Sequence, residues 1–312
     1  MLKRLMLSCL AMVSTGTAFA ALPQVQSDLA ALGRGSSWTP AGQITLAFET
    51  HHPQGMLKIG DRYFMSSVEI QERPEKYQQP QGGMDRSPGK GRAHLFQFDQ
   101  NGKLLRDIVL AEGEGDIYHP GGIDTDGKYI YVPVAEYRPN SRSVLYRIEI
   151  KTGKVEEVLR YNDHLGGVVI DPVGGKLHMV SWGSRRWYSW DLNGAGLPIT
   201  ATARMQANPL SYIDYQDCHH MEGELALCSG VAYMGGHPSG ESIGLGGLEV
   251  VNFNEGRVVA GFPVPLWDPV KTDGVTRAMA TNPFTVWKAD KGLRFAFAPH
   301  DGQTVVYLYD VK

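Results

Sequence analysis

Three histidines recur in register along this chain. His52-Pro-Gln-Gly, His119-Pro-Gly-Gly and His164-Leu-Gly-Gly each open with the imidazole and close on a glycine. Three imidazoles brought to one point suit a transition metal such as zinc or iron, because neutral ring nitrogens are good ligands for both. Glu69 and Glu136 each follow a histidine of the set by 17 residues. A carboxylate placed there could ligate a metal, support a ligand from behind, or act as the general base that takes a proton from water. The same three histidines could instead touch a substrate directly, or only hydrogen-bond neighbouring loops. His220-Met-Glu-Gly223 resembles a fourth copy, but its histidine stands much closer to the turn glycine than His119 does to Gly127. Aligning the glycines puts Tyr215 in the place of His119.

Arginines gather in the same segments. Arg73, Arg138, Arg142, Arg185 and Arg186 could form a collar that holds an anionic group by paired hydrogen bonds. The alternative is that they pair with Glu69, Glu72 and Glu136. Arg138 and Arg185, with Tyr215, Gln216 and Asn282, are the candidate substrate contacts, and the ligand they imply is small, polar and anionic. No nucleophile elbow, phosphate loop, dinucleotide fingerprint or zinc-protease helix occurs. The expected cofactor is therefore one divalent metal (zinc, iron, manganese or calcium), with no nucleotide or organic group.

The elements that must position these residues are β-strands in a repeating order. After His119 comes the turn Thr125-Asp-Gly-Lys128, then the strand Tyr129 to Val134, rich in aromatic and β-branched residues. Ser143 to Ile150 alternates as a half-buried strand should, Lys151-Thr-Gly-Lys154 is a hairpin turn, and Val155 to Tyr161 is a fourth strand. That is one four-stranded propeller blade. The order recurs from His52, from His164 with a fourth strand at Ile199 to Met205, in a blade around Cys218 and Cys228, and from Asn282-Pro283. The last unit stops one strand short, and Gln43 to Glu49 is a strand without a blade. If that strand closes the last blade, the chain is an all-β, five-bladed propeller with its sheet edge removed. Six blades is the alternative should the stretch 230–280 hold another sheet. Residues 21–42 read as a lead-in and 43–312 as a single propeller domain.

Connections alternate in length. Asp126-Gly127, Gly174-Gly175, Asn101-Gly102 and Thr152-Gly153 are tight turns on one face. The long connections 70–92, 230–246 and 267–281 fall on the other, together with every His-x-x-Gly unit. Long loops on a rigid scaffold are where function concentrates.

Residues 1–20 read as a cleavable export signal. Lys3 and Arg4 precede the apolar run Leu5 to Val13, and Ala18-Phe-Ala20 is a small-x-small cleavage site. The run is too short to span a bilayer, so the expectation is a periplasmic or extracellular protein cut after Ala20, with no membrane span thereafter. The net charge of −3 for the whole chain becomes two units more negative without Lys3 and Arg4. So mild a charge argues against nucleic acid as a partner. It leaves the oligomeric state open. Outside the leader stand two cysteines, Cys218 and Cys228, on strands joined by a turn at Glu222-Gly-Glu224. In that register they face each other, and an oxidising compartment favours the disulfide.

His119-Pro-Gly-Gly-Ile-Asp124, Val134-Ala-Glu-Tyr-Arg-Pro-Asn-Ser-Arg142, Val180-Ser-Trp-Gly-Ser-Arg-Arg186 and Asp214-Tyr-Gln-Asp-Cys218 together resemble a domain-of-unknown-function family of secreted propeller proteins. The resemblance runs from about residue 45 to the C-terminus. It implies the fold and export, and supplies no catalytic residue. A looser likeness to lactonase-type propellers, which hold a metal at the channel mouth, is one of fold. Three functions stay open on these grounds. The first is a metal-dependent hydrolase or lyase acting on a small polar substrate, with His52, His119 and His164 as ligands and Glu69 or Glu136 as base. The second is a ligand-binding propeller without catalysis. The third is an interaction scaffold using the loops at 70–92 and 230–246.

Overall fold

The computed structural model describes residues 25–112, 115–208, 212–235, 243–268, 277–290 and 292–312. The expected leader 1–20 and the centres of the long connections at 230–246 and 267–281 lie outside the described residues. What is described is a ring of five four-stranded antiparallel sheets.

The chain enters through the helix α1 (Gln26–Ala30) and the strand β1 (Trp38–Thr45). Blade 1 follows with β2 (His52–Ile59) and β3 (Arg62–Glu72). A two-stranded hairpin, β4 (Lys76–Gln81) and β5 (Met84–Arg86), fills the 70–92 connection before β6 (Lys90–Asp99) and β7 (Leu104–Leu110). Blade 2 has an interrupted inner strand, β8 (Ile117–Pro120) and β9 (Asp124–Thr125), then β10 (Tyr129–Glu136), β11 (Ser143–Glu149) and β12 (Val155–Tyr161). Blade 3 is β13 (Leu165–Asp171), β14 (Lys176–Ser181), β15 (Arg186–Asp191) and β16 (Arg204–Ala207). Blade 4 is β17 (Asp214–His220), β18 (Leu225–Met234), β19 (Ile243–Asn252) and β20 (Arg257–Val264). Blade 5 is β21 (Phe284–Ala289), β22 (Gly292–Phe297) and β23 (Val305–Val311), with β1 paired antiparallel on the outer edge of β23.

The N-terminal strand thus closes the last blade, but with earlier residues than the alternation suggests. Trp38 pairs with Val311 and Thr45 with Val305, whereas the sequence places the strand at Gln43 to Glu49. Leu46, Phe48 and Thr50 continue the apolar alternation because they anchor a crossing from the rim to the axis. Leu46 and Thr50 are buried, and the Phe48 ring lies 5.2 Å from Phe96. Ala47 bonds to the Gly102 carbonyl and not to β23. The outer strand of blade 3 is likewise displaced from Ile199–Met205 to Arg204–Ala207. Thr200–Thr202 form a 3-10 turn whose Thr202 hydroxyl accepts the Asp191 N–H instead.

The core is divided among the seams. Five apolar clusters form, one between each pair of adjacent blades, because each sheet buries both faces against its neighbours. At the axis the inner strands meet through backbone and two carboxylates. A Cβ on Gly121 would lie 2.0 Å from the Gly166 carbonyl oxygen, and one on Gly55 2.6 Å from the Ile123 nitrogen. The glycines that follow His52 and His119 are therefore demanded by close approach. Asp217, fully buried, accepts the N–H groups of Met56 at 2.9 Å and Ile123 at 3.0 Å. Asp124 accepts those of Ile170 and His220, both at 3.0 Å. Blade 4 is thereby tied to blades 1 and 2, and blade 2 to blades 3 and 4.

Cys218 and Cys228 are directly paired across β17 and β18 and form a disulfide, as the hairpin register requires. Among the described residues no helix is long and apolar enough to cross a membrane.

Candidate functional site

His52 opens β2, His164 stands just before β13 and His119 is the third residue of the short β8, and inner strands of one direction converge at one end of the axis. There the structure opens a cavity of about 240 Å³. All three histidines line it, with Gln54, Tyr137, Trp182, Asp214, Tyr215 and Gln216. In blade 4 Tyr215 lines the same cavity, while His219 and His220 lie at the far end of β17 and do not line it.

The rings form an arc. His119 lies 6.2 Å from His52 and 6.2 Å from His164, centre to centre. His119 stacks on Tyr137 at 4.1 Å, and His164 meets the Trp182 ring edge-on at 4.8 Å. His164 Nδ1 donates to the Glu136 carbonyl at 2.8 Å. A carbonyl only accepts, so Nδ1 carries the proton and the neutral ring keeps its lone pair on Nε2. Burial brings His164 down to about 4. Burial, with His52 and His164 alongside, holds His119 well below the ordinary histidine range. Its Nε2 is buried without a hydrogen-bond partner. Both rings are uncharged at neutral pH.

His52 is held differently. Its Nδ1 lies 2.7 Å from Asp301 Oδ1, on the loop after the second strand of blade 5. Burial raises the Asp301 carboxyl, but the His52 contact and the nearby Arg277 outweigh it and hold it below the usual range. An ionised Asp301 fixes the proton on Nδ1 and leaves Nε2 as the reactive nitrogen, the arrangement that orients a general-base histidine.

Several expected contacts stand elsewhere. Glu136 is fully buried and faces away from the mouth, because its neighbour Ala135 is the residue opposite His119 and side chains alternate along a strand. Arg138 at 2.5 Å and Arg142 at 2.5 Å enclose it, and it does not line the cavity. Arg185 pairs with Asp214 at 2.8 Å and Arg186 with Asp163 at 2.8 Å. No arginine or lysine is among the described residues lining the cavity, but the Arg86 guanidinium lies 4.9 Å from the ring centre of Trp182, which does line it. Asn282 is buried and donates to the Pro299 carbonyl. Tyr215 and Gln216 are at the cavity, the Tyr215 hydroxyl donating to Glu249 at 2.5 Å.

The metal expectation changes most. Imidazoles sharing a tetrahedral zinc at about 2.0–2.1 Å per bond have ring centres roughly 5 Å apart, and the arc is wider than that. Among the described residues, the three potential ligands whose donor atoms all lie within 4.8 Å of one another are His51, Glu69 and His94. Glu69 is thus brought to a candidate metal group, but with the other histidine of the His51-His52 pair. His94 gives no sign of itself in the sequence beyond a polar residue interrupting the alternation of Ala93-His-Leu-Phe-Gln-Phe98.

A closed ring of five blades around a polar cavity at one end of the axis defines a five-bladed β-propeller. The chain belongs to the family of unknown function DUF6454, whose family model matches residues 10–312. No curated protein matches it. Among solved structures it is similar to a luciferin-regenerating enzyme at 11% identity and TM-score 0.48, over 89% of this chain and 97% of that one. It is also similar to the calcium-binding protein regucalcin of Agrobacterium tumefaciens (11%, TM-score 0.45, 86% and 94%). A DUF4623 family protein of Bacteroides eggerthii gives 12%, TM-score 0.45, 84% and 71%. At such identities the likeness is one of architecture, and no ligand or activity is carried from it.

Proposed function

We infer that the channel mouth binds a small polar molecule, uncharged or cationic, and that His52, oriented by Asp301, moves a proton to or from it. The observation that carries this reading is the 2.7 Å contact of His52 with Asp301 at the wall of a cavity lined by uncharged imidazoles. Lone pairs on His164 and His52 call for donors on the ligand, and the Asp214 carboxylate, half exposed beside its Arg185 partner, disfavours an anion; Trp182, with Arg86 over its ring, and Tyr137, stacked on His119, complete the wall. The reaction class is proton abstraction or water activation, as in a hydrolase or lyase. Placement outside the cytoplasm belongs to the same reading, supported by the Cys218–Cys228 disulfide and the leader-like residues 1–20.

The test is a thermal-shift panel of small lactones, polyols and amines set against sugar acids and phosphates. Lactones, polyols or amines should raise the Tm, and Trp182→Ala or Gln216→Ala should abolish the shift. His52→Gln should keep the shift and lose any turnover. Stabilisation by the anions alone, or shifts indifferent to Trp182 and Gln216, refutes the assignment. A bound compound recovered unchanged from the wild-type protein would make the site a receptor.

A further inference from the structure

We propose that His51, Glu69 and His94 bind one first-row transition-metal ion that clips the seam where the ring closes. This site is separate from the channel mouth and does not depend on the function assigned there.

His94 lies on β6 and is only 5% exposed. Its Nδ1 lies 2.8 Å from Asp107 Oδ1 on β7. The carboxylate accepts, which places the proton on Nδ1 and turns the Nε2 lone pair the other way. That Nε2 is buried and has no hydrogen-bond partner. A buried nitrogen left unpaired costs free energy unless something meets it. Glu69 Oε2 stands 3.6 Å away, too long for a hydrogen bond and suited to two ligands of a common ion. The His51 ring centre is 5.3 Å from that of His94, close to the spacing that two imidazoles on one zinc adopt. A carboxylate holding the far nitrogen of a ligating histidine is the usual outer support of such a site.

His51 is presented by unusual backbone. Its φ is 56°, in the left-handed region that a non-glycine residue enters only under strain and that recurs at ligand clamps. Hydrogen bonds fix the segment there. Gly302 donates to the His51 carbonyl at 2.5 Å, Thr50 donates to the Gly302 carbonyl at 2.8 Å, and the Ser67 hydroxyl donates to the Thr50 carbonyl. His51 therefore lies on the crossing from the outer strand of blade 5 to the inner strand of blade 1, while Glu69 and His94 belong to blade 1 itself. An ion bound by all three joins the crossing to the sheet it enters. Two imidazoles and one carboxylate favour zinc, cobalt, manganese or iron over calcium, which takes oxygen ligands.

The experiment uses purified, chelator-stripped protein with its disulfide intact, titrated with Zn²⁺, Co²⁺ or Ca²⁺. One equivalent of Zn²⁺ or Co²⁺ should bind. At a free concentration of about 100 times Kd, the Tm should rise by roughly 5–10 °C. The Co²⁺ protein should show the visible bands of low-coordinate cobalt, and Ca²⁺ should do nothing. His94→Ala and His51→Ala should abolish all three effects, and Asp107→Asn should weaken binding by about 10- to 100-fold. His51 is partly exposed, so its variant reports on the site even if His94→Ala fails to fold. His119→Gln and His164→Gln should leave the stoichiometry at one. No stoichiometric Zn²⁺ or Co²⁺, or binding that survives His51→Ala and disappears with His119→Gln, overturns the proposal.

Discussion

Replacing Asp217 by alanine should be among the most damaging single changes to this ring. Its carboxylate receives the Met56 and Ile123 N–H groups, one from blade 1 and one from blade 2. Truncation leaves both donors buried and unpaired at about 1–3 kcal/mol each, a gross loss of roughly 2–6 kcal/mol. Burial pushes the Asp217 carboxyl well above the ordinary range, against the pull of the same N–H groups. Removing the carboxyl therefore relieves part of that loss, and a net cost of about 3 kcal/mol is expected. At about 2–4 °C per kcal/mol for a domain of this size, the Tm should fall by roughly 6–12 °C. Asp214→Ala is the internal control. It sits on the same strand and also makes an ion pair, but its side chain is 46% exposed, and exposed pairs contribute about 1 kcal/mol at most. Differential scanning calorimetry of both variants decides the matter. Equal shifts for the two, or an Asp217→Ala protein melting within about 2 °C of wild type, would refute the reasoning that buried backbone donors at the axis set the cost.

Acid should weaken the fold in a defined window. Burial brings His178 to about 3 and His219 to about 4, so between the ordinary value near 6.5 and those values the unfolded chain binds more protons. Stability is full above about pH 6.5 and falls as pH drops, by about 1.4 kcal/mol per unit for each ring; Tm against pH should show this, and His178→Gln should flatten the slope. Reducing Cys218–Cys228, whose partners are 10 residues apart, should cost roughly 2–3 kcal/mol in urea denaturation. Glu136→Ala should destabilise by roughly 3–5 kcal/mol, because it strands the mostly buried Arg138 guanidinium. A fully stable variant lacking only activity would restore Glu136 as a base.

Much of the architecture is legible because strand alternation and turn glycines are local signals. The five blades, the closure by an N-terminal strand, the Cys218–Cys228 register and the convergence of His52, His119 and His164 all follow from spacing. What is hidden depends on side-chain direction. Glu136 and Glu69 share one offset from a histidine, yet one is enclosed by arginines and the other reaches His94, because each follows the pleat of its own strand. Asp301 leaves the second strand of blade 5 as one polar residue among several, and its pairing with His52 needs the ring to close. His94 and Asp107 lie on neighbouring strands of blade 1, where sequence offers only interruptions in an apolar pattern.

The pairing of β1 with β23 also bears on how the molecule is made. Trp38 leaves the ribosome long before its partner Val311 exists, and blade 5 keeps a bare rim until both are present. During that interval Trp38 to Thr45 is an unpaired strand, open to the last strand of another, completed copy. Crowded chains caught at this stage would exchange their leading strands and yield interlocked dimers, so dilution during refolding should favour the single ring.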